Sequence, residues 1–180
     1  MRKAVVVSGA LILAAGSVIV SAQGFKVIRE LLSGYQEVPV VSTAGHAEFR
    51  ARISTDETSI EYSMTYADLE GTVSQSHIHV GQPAVNGGIS VFLCTNLGNG
   101  PAGIQPCPQS GTITGVITAA DVSPNIPATA AARTQGVNTG ELAELIAAIR
   151  AGATYVNIHS TLWPGGEVRS QINGNSGQQH

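Results

Sequence analysis

From residue 29 onward, apolar and polar residues alternate in short runs. His46 to Ile53 puts Ala47, Phe49, Ala51 and Ile53 on one side and His46, Glu48, Arg50 and Arg52 on the other. That two-residue period belongs to a half-buried β-strand. Thr58 to Tyr66 repeats it, with Ile60, Tyr62, Met64 and Tyr66 against Ser59, Glu61, Ser63 and Thr65, and Asp56-Glu57 supplies the turn between the two. Arg29–Gly34, Val73–Val80, Ile89–Cys94, Gly111–Thr118, Thr154–Ser160 and Glu167–Ile172 complete the predicted strands, and Asn86-Gly87-Gly88 is a turn. One segment changes period. Leu142, Leu145, Ile146 and Ile149 fall on one helical face, with Asn138 and Glu141 spaced as a capping box and Gly152 placed to stop the helix. Ala119–Val137 carries Pro124, Pro127 and no clear period, so it reads as a loop. Short strands, many turns and a single helix predict an all-β fold, an antiparallel Greek-key β-sandwich with one short helix.

The ends of the chain set the compartment. Met1-Arg2-Lys3 precedes an uncharged run from Ala4 to Ala22 that ends in small residues. This is the layout of a secretory signal cleaved after Ala22; the alternative is an uncleaved N-terminal membrane anchor. The expected organisation is a signal peptide at 1–22, a short segment at 23–28, the β-domain at 29–173 and a disordered tail at 174–180. Cleavage removes Arg2 and Lys3, leaving 7 basic against 12 acidic residues, a net charge of −5. A mildly acidic surface with no basic cluster argues against nucleic acid as the partner class. The expected location is secreted or periplasmic, with no membrane attachment after cleavage. There Cys94 and Cys107, the two cysteines, are expected to form one disulfide; their spacing and the oxidising compartment disfavour a pair of metal thiolates.

Candidate chemistry gathers on two strands. His77 and His79 share one face of theirs, with Ile78 and Val80 on the other; Asn157 and His159 share a face opposite Val156 and Ile158. Residues two apart stand roughly 7 Å apart along a strand, close enough for imidazoles to converge on one ion. If the strands are neighbours, His77, His79 and His159 form a three-imidazole metal site. The same residues also read as a hydrogen-bonded polar ladder. Asn157 could orient a ligand ring from behind. Glu167, Arg169 and Gln171 share a face of the last strand, so Arg169 could attract an anion and Glu167 could hold Arg169 or a histidine N–H. His46, on the outward face of its strand, reads first as a surface histidine; the alternative is a fourth ligand, a place water could also take. Ser160 adjoins His159 but points to the opposite face, which argues against a nucleophilic dyad.

Several segments, taken in order, resemble the CHRD domain, the chordin-type module. They are Leu32-Ser33-Gly34 with Glu37-Val38-Pro39, His77-Ile78-His79-Val80-Gly81, Asn86-Gly87-Gly88, Ala151 to His159, and Pro164 to Ile172. The resemblance implies an exported β-sandwich and no firmly established activity. Val40, where a second proline is common, and the Cys94/Cys107 insertion depart from the pattern. The order His77, His79, His159, Arg169 also resembles that of the copper–zinc superoxide dismutases, with no counterpart of their zinc loop, so a copper-only site is the nearest analogue. That likeness makes copper the expected cofactor, with zinc as alternative, and superoxide or another small anionic oxidant the expected substrate, guided by Arg169. The competing expectation is a non-catalytic extracellular interaction or matrix module with a structural histidine cluster; metal storage or delivery ranks third.

Overall fold

A computed structural model describes residues 27–173. The expected signal peptide at 1–22, most of the expected segment at 23–28, and the expected tail at 174–180 with His180 lie outside the described residues. Eight strands form: β1 (Val27–Ser33), β2 (His46–Ile53), β3 (Ile60–Ala67), β4 (Val73–Val80), β5 (Gly88–Thr95), β6 (Gly111–Ile117), β7 (Thr154–Ser160) and β8 (Val168–Ile172). Two helices, α1 (Ala130–Thr134) and α2 (Leu142–Arg150), lie between β6 and β7. Every strand pairing is antiparallel, and the order across the sheet is β5-β4-β7-β8-β1-β2-β3-β6.

The eight strands are hydrogen-bonded in one sequence, creased into two halves. The crease is the β1–β8 junction, where the only paired position is Ser33 with Arg169. One core cluster draws Ile28, Phe49, Met64 and Ile113 from one half and Ile78, Val91, Val156, Ile158 and Val168 from the other. The halves therefore fold face to face as a sandwich that is nearly a barrel. Alternation in β2 and β3 is realised as read: Ala47, Phe49 and Ala51, then Ile60, Tyr62, Met64 and Tyr66, are buried. Leu142, Leu145, Ile146 and Ile149 of α2 join the same core.

The outer edges β5 and β6 are bridged by a side chain. Gln105 Nε2 donates to Leu93 O of β5 at 3.0 Å and to Thr114 O of β6 at 3.1 Å. Gln105 sits in the loop closed by the Cys94–Cys107 disulfide. The bond thus anchors the loop that seals the seam, in a segment with little apolar content of its own.

Two local features differ from expectation. The segment read as loop, 119–137, contains α1 and two short 3-10 turns, so among the described residues there are two α-helices rather than one. Pro127 begins a helical turn, where its missing N–H costs nothing, and Arg133 Nη1 ties α1 back to Pro124 O at 2.8 Å. A Cβ on Gly88 would fall 2.2 Å from Ala132 N, so the helix lies directly against β5. The Asn138–Glu141 pair forms, with Asn138 N–H donating to Glu141 Oε2 at 2.9 Å. It closes a turn ahead of α2, because Gly140 has φ +85° and cannot continue a helix. Among the described residues no helix is long and apolar enough to cross a membrane.

Candidate metal centre

β4 and β7 are neighbours. Their register sets His77 opposite Asn157, His79 opposite Tyr155 and Gln75 opposite His159. Directly opposed residues share a face, so His77, His79, Tyr155, Asn157 and His159 stand together on the side away from Ile78, Val156 and Ile158. On β8, Arg169 lies opposite Asn157 and joins that face. All three histidines are buried, His77 completely. Ring centroids are 5.3 Å apart for His77–His79, 5.0 Å for His77–His159 and 6.1 Å for His79–His159. One nitrogen from each ring lies within 4.8 Å of the others.

The hydrogen bonds assign the protons. His79 Nδ1 is 3.0 Å from Gly87 O and His159 Nδ1 is 2.9 Å from Pro164 O. A carbonyl only accepts, so both Nδ1 atoms carry the hydrogen, and each neutral ring turns an Nε2 lone pair inward. His79 Nε2 has no partner. His159 Nε2 lies 3.0 Å from Asn157 Oδ1 and 3.2 Å from His77 Nδ1. If His77 Nδ1 donates across that contact, its own Nε2 is left as an unpartnered lone pair. The pocket therefore holds more acceptors than donors.

A cation answers that imbalance, and the residues fit one. Two nitrogens each about 2.0–2.1 Å from a tetrahedral ion are roughly 3.3 Å apart; His77 Nδ1 and His159 Nε2 stand 3.2 Å apart, a spacing an ion spans once His77 carries its hydrogen on Nε2 instead. Carbonyls behind Nδ1 are what holds a ligating imidazole in its tautomer and orientation. Burial pushes all three pKa values down, His77 well below its usual range and His79 to about 3, with neighbouring positive charge adding to the effect at both. Each ring is thus neutral and able to ligate at physiological pH.

A stack and a turn build the wall. The Tyr155 ring lies parallel to His79 with centroids 4.5 Å apart, and the Arg169 guanidinium carbon sits 3.4 Å from the centre of the Tyr155 ring. Phe92 meets His77 edge-on at 4.5 Å. Arg169 is 1% exposed and donates to Asn86 Oδ1 (3.2 Å), Val85 O (3.0 Å) and Gln82 O (3.4 Å). It thereby holds the turn whose Gly87 carbonyl orients His79. A Cβ on Gly87 would lie 1.6 Å from Val80 O, so only glycine lets the turn close this far.

The chain belongs to the CHRD domain family. The family model matches residues 28–172, which takes in β2 to β8, all of β1 but Val27, the three histidines and both cysteines. No curated protein and no solved structure matches the chain. Within this CHRD domain the other expected site residues take distinct places. Asn157 lies in the cluster. Glu167 is buried, with Oε1 accepting from Thr43 Oγ1 and Glu70 N–H, both at 2.8 Å, and Oε2 without a partner. Its hydrogen bonds among the described residues tie loops together and do not reach a histidine. His46 is exposed on the outer side of β2, with Nδ1 3.3 Å from Ala44 O and 3.8 Å from Asp68, apart from the cluster.

Besides Tyr155, Phe92 and the Gly87 and Pro164 carbonyls, one acidic residue of the site escaped sequence reasoning. Glu37 is buried beside the cluster and receives Asn157 Nδ2 at 3.5 Å. Burial pushes its carboxyl up to about 7 against the opposing pull of Arg169. The available signal was the Glu37-Val38-Pro39 segment, which marked the family without indicating a role.

Proposed function

We propose that this CHRD protein works outside the cytoplasm as a transition-metal protein, copper by preference, with His77, His79 and His159 as ligands. The single observation that carries the reading is the surplus of buried, inward-facing nitrogen lone pairs on three imidazoles, two of them oriented by backbone carbonyls. Imidazole sets suit copper and zinc, and three ligands leave a position open. Copper bound there supplies one-electron chemistry toward superoxide or another small oxidant, whereas zinc would polarise water. The residue order shared with copper–zinc superoxide dismutases supports copper by analogy of pattern alone.

The chain's own groups have separate parts. Gly87 and Pro164 fix the rings of His79 and His159. Tyr155 and Phe92 shut out water and lower the local dielectric. Arg169 places a positive charge that helps keep His79 deprotonated, and the same charge favours an approaching anion. Export is supported by the Cys94–Cys107 disulfide and by family membership.

The His77–His159 contact favours a second reading, a structural cluster that meets part of its own hydrogen-bonding need inside an extracellular interaction module. Metal analysis of protein recovered from an oxidising compartment separates the two. The expected result is one copper or zinc per chain, lost in His79→Ala. Equal, tight binding by the variant would remove His79 from the site, and a metal-free wild type that ignores added copper would leave the structural reading. A copper-loaded sample that fails to consume superoxide would confine the proposal to binding.

A further inference from the structure

A cavity of about 220 Å³ lies between the segment after β1 and the turn before β8. Its walls include Pro39, Val41, Leu162, Trp163 and Pro164, and Glu37 also lines it. We propose that this cleft binds a small neutral phenol, the ring held against Trp163, Pro39 and Pro164 and the hydroxyl donating to the Glu37 carboxyl.

Five observations lead there. The walls present one indole and two pyrrolidine rings, flat apolar surfaces suited to a single ring. The volume is below the roughly 300–1,000 Å³ of sites for drug-sized ligands. Glu37 is 4% exposed and pinned: a Cβ on Gly166 (φ +132°) would lie 2.2 Å from Glu37 Oε1 and 2.8 Å from Asn157 Nδ2. Its link to Asn157 is long at 3.5 Å, which leaves acceptor capacity for a ligand hydroxyl. No cation lines the cleft, so a carboxylate or phosphate ligand would meet Glu37 without a counter-charge.

Binding in the cleft depends only on these residues. Its relevance to the histidine cluster, reached through Asn157, rests on the metal reading. Trp163 is the chain's one tryptophan, so its indole N–H signal in a proton–nitrogen NMR spectrum reports this cleft. The test titrates metal-free protein with 4-methylphenol, toluene and benzoate. 4-Methylphenol should shift that signal saturably, and toluene and benzoate should bind about tenfold or more weakly, the cost of an unmade buried hydrogen bond or an unpaired charge. Glu37→Leu should abolish the preference for 4-methylphenol over toluene, while Glu37→Gln, which keeps an acceptor, should retain part of it. Equal binding of toluene and 4-methylphenol by the wild type, or no saturation, overturns the proposal whether or not the Leu variant folds. His79→Ala separates the two readings, since it should lose metal and keep the phenol.

Discussion

The sealed histidine pocket implies a pH effect that can be worked out for one ring. Burial takes the His79 pKa from 6.5 to about 3. Between those values the unfolded chain binds a proton that the folded ring refuses, so this contribution is full above about pH 6.5 and shrinks as pH falls. One pKa unit corresponds to about 1.36 kcal/mol, and integrating from about pH 7.5 to about pH 5 gives a loss of roughly 2 kcal/mol from His79. Against a total stability typically of 5–15 kcal/mol, that is readily measured. Glu37 works in the opposite direction. Its carboxyl is raised from 4.5 to about 7, chiefly by burial, so the folded state gains protons first and is favoured as pH falls through that window. By the same arithmetic it offsets a similar amount.

The raw pH curve of the wild type is therefore uninformative, and the difference between two proteins is what to measure. His79→Gln keeps a polar side chain and removes the titration, while the Glu37 contribution is common to both. Urea unfolding of wild type and variant, each stripped of metal with chelator, gives the two stabilities at each pH. The wild type's advantage over the variant should fall by about 2 kcal/mol between about pH 7.5 and about pH 5. A difference that stays flat within about 0.5 kcal/mol would mean that water or a proton donor reaches His79 Nε2 in solution. The lone-pair argument for a cation would then fail with it.

Three further outcomes follow from the structure. Gly87→Ala drives a methyl group into Val80 O, so it should cost about 1–3 kcal/mol in urea unfolding, and it should weaken metal uptake by moving the carbonyl behind His79; unchanged uptake would detach that turn from the site. Replacing Cys94 and Cys107 together by serine should cost about 2–4 kcal/mol and lower the melting temperature, with hydrogen exchange at β5 and β6 rising before that at β4 and β7, because Gln105 no longer seals the seam. Asn157→Ala should leave the fold intact and weaken copper binding by about 10–100-fold, measured by competition with a chromogenic chelator; an unaltered affinity would make the amide a bystander.

Legibility in the sequence followed the reach of local periodicity. Alternation in β2, β3, β4 and β7 depends on nearest neighbours along the strand, so both the strands and the shared face of His77 and His79 could be read directly. The meeting of His159 with that pair needed the further guess that β4 and β7 adjoin, which the pairing of His77 with Asn157 bears out. Glu30 shows where alternation misleads. It occupies an inward position between Ile28 and Leu32 and is buried there, its carboxylate taking the Asn173 N–H at 2.9 Å from the far end of the domain. Helix α1 stayed invisible because its register is set by Arg133 and by the bare backbone of Gly88, neither of which leaves an apolar period.

The groups that turn three histidines into a candidate centre lie beyond such patterns. The Gly87 and Pro164 carbonyls have no side-chain signature, yet they decide which nitrogen of each ring faces inward. Glu37 sits in an irregular segment and is buried only because the Gly166 turn packs onto it. The strands bring the rings within reach of one another, while the turns orient their lone pairs and cover them. Substitutions in the turn at 81–87 or the turn at 161–166 should thus alter metal affinity, with a stability cost only where, as at Gly87, a new side chain meets the backbone. Substitutions at Ile158 or Val156, on the opposite face of β7, should lower stability and leave the affinity of the folded protein unchanged.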